Sequence, residues 1–387
     1  MINRVDNVLD DIKKELINLS DFILENPELG YEEVKSCNAH VQLLKKYGFK
    51  VEEEYMNIKT AFKGTFNSGK EGPTIAYLAE YDALPGIGHG CGHNILGATS
   101  TGAGIVLSKL INDLGGKVIV YGTPAEETSG AKVHMVNNGS FDDVDIAMMA
   151  HPGDKHYKSG KSLAMEAIQF TFRGKSAHAA ACPEQGINAL DGVINTFNNI
   201  NGLREHVKSD SRIHGVVIEG GKAANIVPDL AIAQFYVRAT SKKYLKELVE
   251  KVKNCARGAS LAAGTQLDIS NYEVSYDNLV TNKILSNMYT KKLNEVGVEN
   301  VYDPRESYGS LDAGNVSQVC PTIHPYFSIS DENIVAHTKE FAEATNKPKA
   351  YEGMLKTIKA LVLTAVEIIS DDKLLNEIKE EFINTEK

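Results

Sequence analysis

Three hundred and eighty-seven residues are too many for one small binding module and correspond to about two or three domains. A hydrophobic share of 42% beside 24% charged residues is an ordinary globular mixture, which excludes disordered and fibrous chains. Forty-one basic against fifty-one acidic side chains leave a formal charge of -10, which repels phosphate backbones and anionic headgroups, so neither nucleic acid nor a membrane surface is an expected partner.

The opening MINRVDNVLDDIKKELINLSDFIL mixes acids and bases at helical spacing and predicts an amphipathic helix, not a secretory signal. A second helix is expected to run through roughly Lys46. Apolar runs at 74–79, 117–121 and 145–150 read as buried strands, and 94–114 between the first two reads as a helix ended by Gly115 and Gly116. Strands alternating with helices predict an α/β architecture, a mostly parallel sheet sandwiched by helices. The order then changes: strand 167–172, helix 186–206, strands 216–218 and 231–238, helix 241–263 and a closing run 266–273. Strand, helix, two strands, helix, strand is the ferredoxin-like, split βαβ order. The expected organisation is therefore one domain from 1–163 and 274–387, with a smaller α+β domain, 164–273, inserted into it. The most apolar late stretch, Leu355 to Ile369, carries Lys356, Lys359 and Glu367 at helix-face intervals, so no membrane span is expected. From Asp371 the tail reads as a charged, solvent-facing helix. Cysteines at 37, 91, 182, 255 and 320 are odd in number and lack paired spacing, which favours a reducing, cytoplasmic setting over a disulfide framework.

Three clusters carry chemistry. GHGCGHN at 88–94 places His89, Cys91 and His93 at alternating positions, and thiolate with imidazole two residues apart suits a borderline-soft dication. The alternatives are a glycine-loosened loop holding an inert cysteine, or a phosphate cradle, although the glycines miss the dinucleotide spacing. ThrProAlaGluGlu at 123–127 follows a strand. If that segment is extended, Glu126 and Glu127 point oppositely, one toward a cation and the other toward substrate as a proton acceptor. The alternative is an acidic helix start after proline. His151 follows the next strand at its C-terminal end, where open α/β sheets bind ligands, or else it simply precedes a ProGly turn.

From AsnProGluLeuGlyTyrGluGlu (26–33) to AlaHisThrLysGluPhe (336–341), the ordered motifs resemble the dinuclear metal aminoacylase and carboxypeptidase-like metallopeptidases. They are most similar to the amidohydrolase branch, of the β-alanyl-lysine dipeptidase and p-aminobenzoyl-glutamate hydrolase type. GHGCGHN and GSLDAGNVSQVCPTIHPYF (309–327) carry the finer match. The resemblance implies that Cys91, His93, Glu127, His151 and His337 bind two divalent metal ions, Zn2+ or Mn2+, with Cys91 bridging. It makes Glu126 the general base and Asp82 the carboxylate that orients a ligand. His178, in GlyLysSerAlaHis, and Asn225 match substrate-contacting positions on the inserted domain, which is implied to act as lid and as homodimer interface. His89 matches no ligand position, and the remaining histidines, His324 among them, read as structural. Asn94, Glu80, Lys339 and Leu311 depart from patterns common in the branch, which bears on metal preference and pocket polarity.

The implied reaction is hydrolysis of the C–N amide bond of a small dipeptide or N-acyl amino acid by metal-activated water, with hinge motion near 163 and 273. Two rivals remain: a cysteine-nucleophile amidohydrolase using Cys91, and a non-catalytic binding or assembly subunit of the same fold.

Overall fold

The computed structural model describes residues 1–305 and 309–387. The chain divides into two compact units, Met1–Lys161 with Leu279–Glu386, and Ser162–Asn278.

The larger unit begins with helix α1 (Ile2–Glu25), whose Val5, Leu9, Ile12, Leu16, Leu19 and Ile23 are buried at intervals of three and four, one apolar stripe facing inward. Helix α2 (Val34–Lys46) and strands β1 (Lys50–Glu53), β2 (Phe62–Asn67), β3 (Thr74–Ala79), β4 (Lys117–Gly122) and β5 (Ile146–Met148) follow. A short strand β6 (His151–Gly153) then precedes the smaller unit. The smaller unit contains β7 (Ala164–Arg173), β8 (Arg212–Glu219), β9 (Leu230–Ala239) and β10 (Gln266–Asn271), and the larger unit resumes with β11 (Thr322–Ile323) and β12 (Tyr326–Ser328).

The principal sheet has the order β1-β2-β4-β3-β5-β11. Its β4-β3-β5-β11 portion is parallel, while β1 and β2 add an antiparallel edge. Lys50, Glu52 and Glu53 are exposed on that edge, so β1 lacks the apolar run by which a buried strand is recognised. All six residues of β3 are buried, as a strand covered on both faces requires. Helix α3 (His93–Ser108) is buried along its whole length, packed between β3, α1 and the Pro348–Ile369 helix. It stops at Ser108 and a separate turn, Ile111–Leu114, completes the stretch expected as one helix. The tail is the expected, largely exposed helix, with one inward stripe besides. Helix Asp372–Asn384 buries Leu375 and Ile378, and its Glu381 carboxylate accepts the Lys283 and Ile284 amides, each at 2.8 Å, capping the Lys283–Glu295 helix. Only its outer face meets solvent.

The smaller unit is a four-stranded antiparallel sheet, β10-β7-β9-β8, with helices Ala189–Leu203 and Lys242–Ala263. Along β9 burial alternates strictly, which places Phe235 and Val237 against Phe170, Phe172, Leu248 and Val252 in a separate core. Among the described residues no helix is long and apolar enough to cross a membrane.

Candidate metal centre

The functional side chains gather beyond the C-terminal ends of β3, β4 and β5, the usual ligand crevice of an open α/β sheet. Glu80 and Asp82 follow β3, Glu126 and Glu127 follow β4, and His151 follows β5. His93 is the first residue of α3, preceded by Gly92 in the left-handed region at φ 79°, where a Cβ would stand 2.6 Å from Pro152 Cγ. One turn on, a Cβ at Gly97 would lie 2.5 Å from the Glu80 carbonyl oxygen. Glycine at these two places lets the start of α3 close onto β6 and its next turn onto Glu80, just past β3. Ala125 (φ 63°) and His337 (φ 67°) also occupy the left-handed region, where non-glycine residues are strained. The Ala125 amide donates to the buried Glu33 carboxylate at 2.8 Å, which secures the turn carrying Glu126 and Glu127.

That turn corrects the extended-chain expectation. Residues 126–129 form a turn, and one carboxylate oxygen of Glu126 and one of Glu127 lie within 4.8 Å of each other and of a His93 ring nitrogen. Two further groups meet the same spacing, Cys91 with His93 and His151, and Cys91 with Glu127 and His337. Cys91 belongs to both. Within them Cys91 Sγ lies 3.5 Å from His151 Nε2, and His337 Nε2 lies 3.4 Å from Glu127 Oε1.

The histidines are oriented from behind. His93 Nδ1 donates to Asp82 Oδ1 at 2.9 Å, and the other Asp82 oxygen accepts the Glu127 amide at 2.9 Å. His151 Nδ1 donates to the Pro152 carbonyl at 2.8 Å. Each ring therefore directs its Nε2 inward, the arrangement of a metal-ligating imidazole. His93 Nε2 and Glu127 Oε1 are buried without a hydrogen-bond partner, as atoms reserved for a cation would be. Sulfur, imidazole and carboxylate donors fit a divalent transition ion.

Burial would discharge His93, but Asp82 foremost, with Cys91 and Glu80, raises its pKa well above the ordinary imidazole value. The site attracts positive charge. Burial also drives the Glu126 carboxyl well above the usual range, with Glu80, Asp312 and Glu127 adding to it. The Cys91 thiol is pushed up mainly by burial. A buried thiol held neutral is a poor attacking nucleophile, which counts against the cysteine-nucleophile rival.

A cavity of about 380 Å³ opens onto Cys91, Glu126, Glu127, His151 and His337, with Lys158, Lys161, Leu279 and Leu311 on its walls. His324, read as structural from sequence, also lines it; its buried ring lies 5.5 Å from that of His151. The signal was the HisPro pair at 324–325, which repeats that at 151–152 beside the parallel β6 and β12. Sequence reasoning also missed Lys132, fully buried with Nζ 2.6 Å from both Glu80 Oε1 and Asp312 Oδ1. His89 is buried but belongs to none of the three groups. Asn94 donates to Ser20 Oγ and Thr345 Oγ1, both at 3.1 Å, a packing role remote from substrate.

His178 and Asn225 belong to the smaller unit. Both are exposed neighbours, joined by the Ala179 amide donating to the Asn225 carbonyl at 3.0 Å. His178 Nδ1 accepts the Ala180 and Ala181 amides at 3.3 and 3.2 Å, so Nε2 carries the proton and faces outward as a donor.

Residues 164–262 match the family model described as a peptidase dimerisation domain. The mouse Xaa-Arg dipeptidase is 34% identical over 97% of this chain and 90% of its own. A p-aminobenzoyl-glutamate hydrolase component from Escherichia coli is 28% identical over 97% of this chain and 94% of its own. An aminobenzoyl-glutamate utilization protein from Klebsiella pneumoniae superposes with TM-score 0.75 at 20% identity, covering 94% of this chain and 98% of that one. A dinuclear metal binding peptidase of the M20 family from Bacillus subtilis superposes with TM-score 0.66 at 20% identity, covering 90% of this chain and 98% of that one.

Proposed function

We propose a catalytic assignment for a chain that belongs to the M20 metallopeptidase family and is a metal-dependent amidohydrolase of the dipeptidase type. Cys91, His93, His151, Glu127 and His337 would hold two divalent ions, and the observation that carries this reading is that their ligand atoms form overlapping groups in which Cys91, His93 and Glu127 each appear twice. Zinc or manganese is the proposed metal, with the thiolate favouring zinc. When bound, such ions polarise a carbonyl and make water acidic near neutral pH.

The chain's own residues supply the rest. Asp82 fixes the ring of His93 and the backbone of Glu127 together, so one carboxylate sets two ligands. Glu126, buried in the turn after β4 and facing the cavity, takes the proton of the attacking water and returns it to the leaving amine. His178 Nε2 and Asn225 are proposed as substrate contacts, supported by their exposure and by the hydrogen bond that joins their two loops. The cavity volume suits a small dipeptide or N-acyl amino acid.

A homodimer through the smaller unit is the proposed assembly. Strand β8 is an edge of its sheet, and Val216, Val217 and Ile218 are 57%, 48% and 54% exposed on it, an apolar edge that a second copy could cover. Five free cysteines support a cytoplasmic setting.

Glu126→Gln tests the assignment. After metal reconstitution, hydrolysis across a panel of β-alanyl and γ-aminobutyryl dipeptides, N-acyl amino acids and p-aminobenzoyl-glutamate should fall about 10²- to 10⁴-fold while both ions are retained. Unchanged turnover would remove Glu126 as the base.

A further inference from the structure

Glu80 ends the run that begins with β3 and is 1% exposed, and its two oxygens meet opposite surroundings. Oε1 accepts from Lys132 Nζ at 2.6 Å. Oε2 is buried with no hydrogen-bond partner and lies 3.3 Å from His93 Nε2, itself without one. Because Asp82 engages His93 Nδ1, the atoms that face each other out of water are His93 Nε2 and Glu80 Oε2, an ion pair while the ring is protonated and two ligand atoms once a cation takes that proton's place.

A divalent cation can replace the proton between these two atoms with little change in their spacing. Two N or O ligands, each about 2.0–2.2 Å from a tetrahedral ion, stand roughly 3.4 Å apart. The Glu80–His93 spacing agrees with this, as does the 3.4 Å between Glu127 Oε1 and His337 Nε2. Glu80 also lines the cavity with Cys91 and His151.

Lys132 accounts for which oxygen is left over. Asp312 accepts from Lys132 twice, from Nζ at 2.6 Å and from the backbone amide at 3.2 Å, so the ammonium is held from behind and in turn holds Glu80 Oε1. The carboxylate cannot turn away without stripping a buried ammonium of one of its two anions.

We propose that Glu80, which stands outside the three groups spaced within 4.8 Å, is an additional ligand to the ion bound by His93, and that Lys132, anchored by Asp312, is the residue that positions it. This rests on the two-ion reading above and adds a sixth side chain to it.

The test is zinc binding to the metal-free full chain, followed by elemental analysis and by competition with a chromophoric chelator, for wild type and Glu80→Gln. Glutamine keeps an acceptor for Lys132 while losing the anionic oxygen. The expected result is two tight ions in wild type and, in Glu80→Gln, one ion unchanged and the other weakened at least tenfold. Wild type with two ions and Glu80→Gln with the same two affinities overturns the proposal and leaves the two-ion reading intact. Wild type binding fewer than two ions overturns that reading itself, and the Glu80 proposal with it. Should Glu80→Gln not fold, a zinc-loaded wild-type crystal decides instead: Glu80 Oε2 at bonding distance from an ion supports the proposal, and Oε2 more than about 3 Å from both overturns it.

Discussion

Replacing Lys132 with methionine should be among the most damaging single changes in the larger unit. Its Nζ lies 2.6 Å from Glu80 Oε1 and 2.6 Å from Asp312 Oδ1, and all three side chains are essentially buried. At an effective dielectric of about 20 each contact is worth about 6 kcal/mol of gross attraction, most of which offsets the cost of dehydrating the three charges. Burial alone would discharge the ammonium, yet Asp312 and then Glu80 reverse this and hold its pKa above the ordinary lysine value. Lys132→Met removes the cation and strands two carboxylates in a dry site, a change that costs about 3–5 kcal/mol. At about 2–4 °C per kcal/mol, Tm should drop by roughly 6–20 °C. Urea unfolding of chelator-treated protein at neutral pH measures the loss directly. Adding Asp312→Asn should return part of it, because one of the stranded charges is then gone. A Lys132→Met variant within about 1 kcal/mol of wild type would refute the reasoning, since it would mean that water or rearrangement already satisfies Glu80 and Asp312.

Two further predictions concern other regions. His40 is fully buried between the Phe62 and Tyr81 rings, with Nδ1 2.8 Å from Thr101 Oγ1, and burial lowers its pKa to about 3. The unfolded chain takes up this proton below about pH 6.5 while the native chain does not, so stability should fall by about 1.4 kcal/mol per pH unit below that point. The difference between wild type and His40→Asn, followed by urea titration from pH 7 to 5, isolates it; a difference independent of pH would contradict the assignment. On β8, Val217→Glu puts a charge on the exposed apolar edge and should convert a dimer to monomers with little change in Tm, as sedimentation velocity would reveal. A variant dimer as tight as wild type would exclude that edge as the interface.

The sequence is most informative where pattern and period coincide. The apolar runs of β3 and β4 and the heptad-like stripe of α1 are long enough to reveal their periods, and GHGCGHN carries its donors within a few residues. The run at 145–150 reveals β5, but strands β11 and β12, of two and three residues, are too short for any period to register. Their placement comes from tertiary pairing, so the repeated HisPro pair is the hint the sequence offers of the approach of His324 to His151. Lys132 reads as one more lysine in a helix start, because its partners lie 52 and 180 residues away. His337 is reachable only through resemblance: it is exposed and held at φ 67° by its amide donating to the Gly90 carbonyl at 2.8 Å. The Glu126–Glu127 turn escapes sequence reading because it depends on Ala125 adopting a left-handed conformation that its side chain disfavours.

The claim on which the account turns is that one sulfur serves two cations, and stepwise zinc binding to Cys91→Ala tests it most directly. A shared ligand predicts that this single substitution weakens both binding steps relative to wild type. Loss of one step with the other unchanged would place Cys91 on a single ion and contradict the account.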